Sequence, residues 1–306
     1  MPSTTMAQNT MPPRKLPWTD RAGKFAPLKA AVFAGTFVPA LFVLWWWVSG
    51  ALGPRPLTEA IHETGDWAIR FLAMSLAVTP LRRIAQWPKL INVRRILGLA
   101  ALFYALAHLL LYIADQKWDL GKVASEIVLR LYLTLGFVAL LGLVALGSTS
   151  TDAMIRRLGK NWNRLHKIVY ALAALAAVHF FMQTKADVFE ATIISGLMIL
   201  LMLYRVAHRY GLPLHAPLVL AGIAVAGGVL TAAAELLWYG LATGIPVSRV
   251  LAANWQFAIQ IRPMWWVFLV GLCAAALGWM RAGASEAKGR GRDRGEKARR
   301  PARAAA

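Results

Sequence analysis

The chain has 306 residues, 58% of them hydrophobic and 16% charged, with a mean hydropathy of +0.52. Soluble domains carry about 25% charged residues. Here the charges are fewer and gathered between apolar runs, which excludes an ordinary water-soluble domain and fits a lipid-embedded chain. The net charge of +20 does not mark a nucleic-acid binder, because Lys and Arg fall in short connections and in the C-terminal tail instead of on a soluble face.

A membrane-spanning helix needs about 20 mostly apolar residues. That ruler predicts about eight spans, near 30–49, 67–80, 96–114, 128–147, 166–183, 191–207, 216–240 and 264–280. The expected class is therefore all-α, a polytopic transmembrane helical bundle. Residues 1–29 form an N-terminal segment carrying Arg14, Lys15, Arg21, Lys24 and Lys29. The first span is longer than a signal-peptide core and ends in Trp45, Trp46 and Trp47, which suit a membrane interface, so it reads as uncleaved. The second is short and carries Arg70, four residues after Asp66. That pair either bridges one helical turn or meets a partner or a heme propionate on the outer side.

Alternate connections are basic: Arg82, Arg83, Lys89, Arg94 and Arg95, then Arg156, Arg157, Lys160, Arg164 and Lys167, then Arg205 and Arg209. The connections between them hold Glu59, Glu63 and Asp66, then Asp115, Asp119 and Glu126, then Asp187 and Glu190. The excess of cations on one side places both termini in the cytoplasm. The last alternate connection, with Arg249 and Arg262, is a mild exception. Ala221, Gly222, Gly227 and Gly228 predict close helix packing in the seventh span, while Glu235 there has no evident role. The lone Cys273 excludes an intrachain disulfide and reads as a small buried residue. The basic tail, 281–306, is expected to be disordered, as a solvated topology signal or a contact for anionic membrane lipid.

The chemistry rests on histidines, because ionisable residues inside a span are expensive and usually functional. His108 lies deep in the third span and His179 deep in the fifth, with His166 at the start of the fifth. His166 and His179 are 13 residues apart, about 19.5 Å along a helix and some 140° short of four full turns. His108 likewise lies 13 residues beyond Arg95. Both helices run outward, so His108 and His179 reach the same depth. They are the expected axial pair of an outer heme, since bis-imidazole ligation suits electron transfer. His166 faces Arg95 at its own depth; a second heme there needs an unusual ligand, or His166 meets a propionate or a flavin phosphate. Arg82, Arg94 and Arg95 flank the same inner face and serve equally well as topology determinants. His62, in an outer loop, His208 and His215 read as structural. No P-loop, dinucleotide fingerprint or flavin-reductase domain is present, so the chain does not bind NADPH in the usual way by itself.

Several segments carry a family resemblance: Thr64-Gly65-Asp66-Trp67, Thr79-Pro80-Leu81-Arg82-Arg83, Arg94-Arg95-Ile96-Leu97-Gly98-Leu99 and Ser148-Thr149-Ser150-Thr151-Asp152-Ala153-Met154. The series continues with Arg156-Arg157-Leu158-Gly159-Lys160-Asn161-Trp162, Leu165-His166-Lys167, Tyr170 and His179. This set resembles the MsrQ family, the heme-binding membrane subunit of the bacterial protein-methionine-sulfoxide reductase system, within the ferric-reductase-like superfamily. The resemblance covers about 30–210, the expected heme-binding domain, and leaves two additional helices over 211–280. It implies that the family's three important histidines correspond to His108, His166 and His179. It further implies an inner-membrane, multi-pass b-type cytochrome, associated with FMN. That cytochrome would take electrons from a cytoplasmic flavin reductase or a quinol and pass them to a periplasmic molybdopterin-containing catalytic subunit. No nucleophile or acid–base pair stands in an outer domain, so the chain is expected to be an electron-transfer subunit and not the catalytic one. The alternatives are a stand-alone ferric or quinone reductase cytochrome b, and a transporter or scaffold without a redox centre.

Overall fold

The computed structural model describes residues 16–20, 22–184, 187–257 and 260–304, with side chains as far as Gly283. Arg14, Lys15 and Arg21 of the expected basic N-terminal segment lie outside the described residues. Among the described residues no strand forms, only an isolated bridge between Thr19 and Phe25.

Helices α1 (Pro27–Gly35) and α2 (Val38–Val48) make up the first span, interrupted at Thr36 and Phe37. The break follows from Pro39, whose ring fixes φ and removes a donor. A broken helix in lipid leaves backbone groups that something must satisfy. Tyr104 does so: its hydroxyl donates to Thr36 O at 2.8 Å and accepts from Ala40 N at 2.8 Å. Tyr104→Phe removes both bonds at once. The expected cost is about 1–3 kcal/mol, seen as a lower melting temperature of the purified protein.

Helix α3 (Pro56–Ile84) contains a second such repair. Pro80 has no N–H, so the carbonyl of Leu76 loses its intrahelical donor. A guanidinium from another helix, that of Arg205, donates to Leu76 O instead. A 3₁₀ turn (Pro88–Val93) then leads into α4 (Arg94–Asp115). The short α5 (Leu120–Leu129) is capped by Asp119, which accepts from Lys122 N at 2.9 Å.

Next come α6 (Leu131–Ser148), α7 (Asp152–Leu158) and α8 (Lys160–His166), the last two joined at Gly159, whose φ of 50° with ψ of −122° lies outside the left-handed region that a residue with a Cβ can enter. Helices α9 (Val169–Thr184) and α10 (Phe189–Arg209) follow. The chain ends with α11 (Pro217–Trp238), a π turn (Tyr239–Thr243), α12 (Val247–Ala253) and α13 (Pro263–Ala304). The backbone of α13 stays helical through the basic stretch where composition predicts disorder; Ala, Arg, Lys and Glu are all strong helix formers.

Among the described residues seven segments are long and apolar enough to cross a membrane, so the chain is a multi-pass, all-α membrane protein. They correspond to seven of the eight expected spans. The remaining one, 67–80, falls inside α3, which is long enough at 29 residues but carries charges at both ends. Helix α3 nonetheless lies at the centre of the bundle, packed along α4 and against α9 and α10. Helices α11 and α13 pack on α10 and on each other. They share one core with the rest, since Leu220 and Val267 sit in the same buried cluster as Leu76, Ile84 and Leu200.

Close approach here depends on glycine, as the small residues predict for α11. A Cβ at Gly227 would lie 2.8 Å from Leu200, and one at Gly228 would lie 3.2 Å from Met264 O. Gly222, by contrast, faces open space. Cys273 is exposed on α13 instead of buried, because the outside of a membrane bundle is itself apolar.

Candidate functional site

Helices α3, α4, α6 and α9 pack around a cavity of about 530 Å³, within the usual size range of cofactor pockets. His108 enters it from α4 and His179 from α9. Their ring centroids are 6.3 Å apart, with the planes at 83°. His108 Nδ1 lies 2.8 Å from Ile61 O on α3, and His179 Nδ1 lies 2.7 Å from Tyr132 O on α6. A carbonyl only accepts, so each Nδ1 carries the proton and donates it. Each Nε2 is left with its lone pair, the form of imidazole that binds a metal, with its orientation fixed from behind.

Each ring reaches its carbonyl by the same device. Gly65 follows Ile61 by four residues, and Gly136 follows Tyr132 by four, so each glycine lies on the helix face that presents the carbonyl. A Cβ at Gly65 would stand 2.9 Å from His108 Nδ1, and one at Gly136 would stand 2.8 Å from His179 Nδ1. Neither helix can carry a side chain there and still receive the imidazole. Sequence reasoning gave neither glycine a role, although Gly65 stands in one of the quoted motif segments; for Gly136 the available signal was a glycine inside an apolar run, where helix propensity opposes it.

The remaining wall is apolar, with Leu72, Leu140, Leu143 and Phe180. The mouth is polar, lined by His62, Asp66, Gln183 and Glu190. His62 is on α3 and not in an outer loop, so it belongs to the mouth. Arg70 bridges Asp66 at 3.6 Å, the expected one-turn pair, and also reaches Glu190 on α10 at 2.6 Å. Tyr132 lies parallel to the His179 ring, centroids 6.3 Å apart. Tyr112, also on the wall, donates to Glu126 Oε2 at 2.5 Å and ties α4 to α5.

The other two candidates are elsewhere. His166 stacks on Trp162 with centroids 3.9 Å apart, and its Nδ1 lies 3.2 Å from Trp162 O. Its Nε2 is 3.4 Å from Ser150 Oγ. Arg95 pairs with Asp152 at 2.7 Å. The structure thus brings His108 and His179 together and leaves His166 and Arg95 off the cavity.

The donor set suits heme iron. A metal–imidazole bond is about 2 Å and the nitrogen lies about 1.1 Å from the ring centre, so two rings across one iron have centroids about 6 Å apart. The observed 6.3 Å agrees, and the apolar walls suit a macrocycle.

Residues 64–177 match the family of ferric reductase like transmembrane components. A protein of Xanthomonas campestris pv. campestris, the protein-methionine-sulfoxide reductase heme-binding subunit MsrQ, is 43% identical over 188 residues, 59% of this chain and 86% of the relative. The protein of that name from Rhodospirillum rubrum is 41% identical over 188 residues, 61% and 88% of the two chains. The chain belongs to the MsrQ family. No solved structure matches it. The region shared with ferric-reductase-like proteins holds Gly65, His108, Gly136 and His166, and stops two residues short of His179. Most of the cavity's lining comes from that shared segment, but Ile61 and His62 of α3, His179 and Phe180 of α9, and the α10 residues lie outside it.

Proposed function

We propose that this chain carries heme b between His108 and His179 and passes electrons across a bacterial inner membrane to a periplasmic, molybdenum-containing methionine-sulfoxide reductase subunit. The observation that carries the reading is the pair of imidazoles, each tied through Nδ1 to a backbone carbonyl, with ring centres 6.3 Å apart in one apolar cavity. The names of the similar proteins, heme-binding subunits of a protein-methionine-sulfoxide reductase, support methionine-sulfoxide reduction as the process served. When bound, heme supplies one-electron oxidation and reduction at its iron. The chain's own part is to hold it: Ile61 and Tyr132 fix the two tautomers, and Leu72, Leu140 and Phe180 keep water away.

Two imidazoles on one iron leave no position for a substrate, so this subunit carries electrons and the reduction of methionine sulfoxide takes place on its partner. The basic connections put the His166 end in the cytoplasm, facing a flavin reductase or a quinol as donor. At that end Arg82, Arg94 and Arg95 offer positive charge to a propionate or to the phosphate of FMN. His166 is the third family position, and a second iron there would need a ligand other than histidine.

A reduced-minus-oxidised absorption spectrum of the purified protein tests the reading. The wild type should show b-type bands, and His108→Ala and His179→Ala should each abolish them. A heme-free wild type after heme-replete expression would sink the proposal. A stand-alone ferric or quinone reductase would show the same bands but turn over without any partner.

A further inference from the structure

Both oxygens of one largely buried carboxylate are engaged between the two halves of the histidine pair. Glu126, its side chain 19% exposed, leaves α5 near the C-terminal end of that helix. Its Oε2 accepts from the Tyr112 hydroxyl on α4 at 2.5 Å. Tyr112 stands four residues beyond His108, one turn along the same face of that helix. The other oxygen, Oε1, accepts from Arg130 Nη2 at 3.3 Å, and Arg130 Nη1 reaches the Tyr132 hydroxyl at 3.4 Å. Tyr132 is the residue whose carbonyl receives His179 Nδ1.

The corner between α5 and α6 is where such a tie has leverage. Arg130 closes α5 and opens α6 in an extended conformation, with φ −109° and ψ 106°. The start of α6 is therefore not carried by a continuous helix, and side chains must hold it. Thr134 Oγ1 donates to Ile127 O at 2.5 Å and braces the corner from within, while Glu126 ties it across to α4. The two bonds of Glu126 differ in strength. The Tyr112 bond is short and charge-assisted. Arg130 is half-exposed, and exposed ion pairs contribute little. The working link is thus Tyr112 to Glu126, with His108 on one side of it and the acceptor of His179 on the other.

We infer that Glu126 is a positioning residue for the axial pair: with Tyr112 it clamps α4 to the α5–α6 corner and so fixes the separation of His108 and His179. The inference rests on the reading of those two histidines as heme ligands. Its consequence is chemical. A clamped pair keeps both imidazoles on the iron and excludes small ligands. A slack pair releases one imidazole, and carbon monoxide takes the freed position on reduced heme.

The test uses the purified full chain, reduced with dithionite and exposed to carbon monoxide, with variants compared at equal heme content and equal helicity by circular dichroism. The wild type should keep its b-type bands unshifted. Tyr112→Phe, which loses only a hydroxyl, and Glu126→Ala should both take up carbon monoxide, read as a shifted Soret band. Glu126→Gln still offers Tyr112 an oxygen and should restore most of the exclusion. Ser125→Ala, at a neighbouring position whose hydroxyl donates to Lys122 O within α5, should behave as the wild type.

If Tyr112→Phe and Glu126→Ala exclude carbon monoxide as the wild type does, or if the wild type itself takes it up, there is no clamp. Uptake by Ser125→Ala equal to that of Glu126→Ala would mean that α5 is merely loose, which also overturns the assignment. Should Glu126→Ala fail to fold, Tyr112→Phe decides alone. A wild type without b-type bands is a different failure, that of the heme reading itself.

Discussion

Gly136→Ala is expected to give a folded membrane protein that has lost most of its heme. The added methyl would stand 2.8 Å from both Nδ1 and Cε1 of His179, closer than real Cβ contacts allow. The imidazole must then withdraw from Tyr132 O, the acceptor that fixes its tautomer. The helix itself does not suffer, because alanine favours helix over glycine by about 1 kcal/mol. Loss of heme with unchanged helicity therefore separates crowding of the ligand from damage to α6. Heme per protein should fall at least about tenfold, the effect of roughly 1.4 kcal/mol, when the Soret band is compared at equal circular dichroism. Gly65→Ala should act the same way through His108, 2.9 Å away. Gly222→Ala, where a Cβ meets nothing within 4 Å, should keep full heme. A Gly136→Ala protein with wild-type heme content would show that His179 does not need its carbonyl.

A second large effect is expected far from the histidines. Glu235→Leu should lower the stability of the bundle by about 3–5 kcal/mol, the usual cost of leaving one member of a buried ion pair alone. Glu235 is fully buried on α11, where its carboxylate accepts from Arg262 and from Asn254 Nδ2, the latter at 3.3 Å. The backbone carbonyl of Asn254 in turn accepts from Trp265 Nε1 at 2.8 Å, so the carboxylate and the residues it holds join α11, α12 and α13. Removing it strands the Arg262 charge.

The double variant Glu235→Leu, Arg262→Met removes both charges and should recover most of the loss. Melting temperatures of the two variants in one detergent make the comparison. The heme spectrum should not change, because neither residue lines the cavity between α3, α4, α6 and α9. Equal melting of the single and double variants would mean that the pair carries no stability of its own.

The cavity pair was legible because a helix has a fixed rise. Counting 13 residues from Arg95 and from His166 placed His108 and His179 at one depth, and packing of α4 and α9 around a shared interior did the rest. The glycines that admit those rings were not legible, since their meaning lies in a neighbouring helix. The same holds for Arg205, which reads in sequence as one more cation of a basic connection. Only the packing of α10 on α3 shows it filling the place of the N–H that Pro80 lacks. His62 was misplaced in a loop because the charged start of α3 hides the helical pattern.

By itself the sequence determined the membrane class, seven of the spans, the all-α architecture and the family, because these follow from run length, apolar content and local motifs. Only the tertiary structure decided which nitrogen of each histidine is free, which glycines make room, and where Glu235 finds its partner. Those depend on contacts between residues far apart in the chain, and in a bilayer, where no water can substitute, every such polar group must find a protein partner or a ligand.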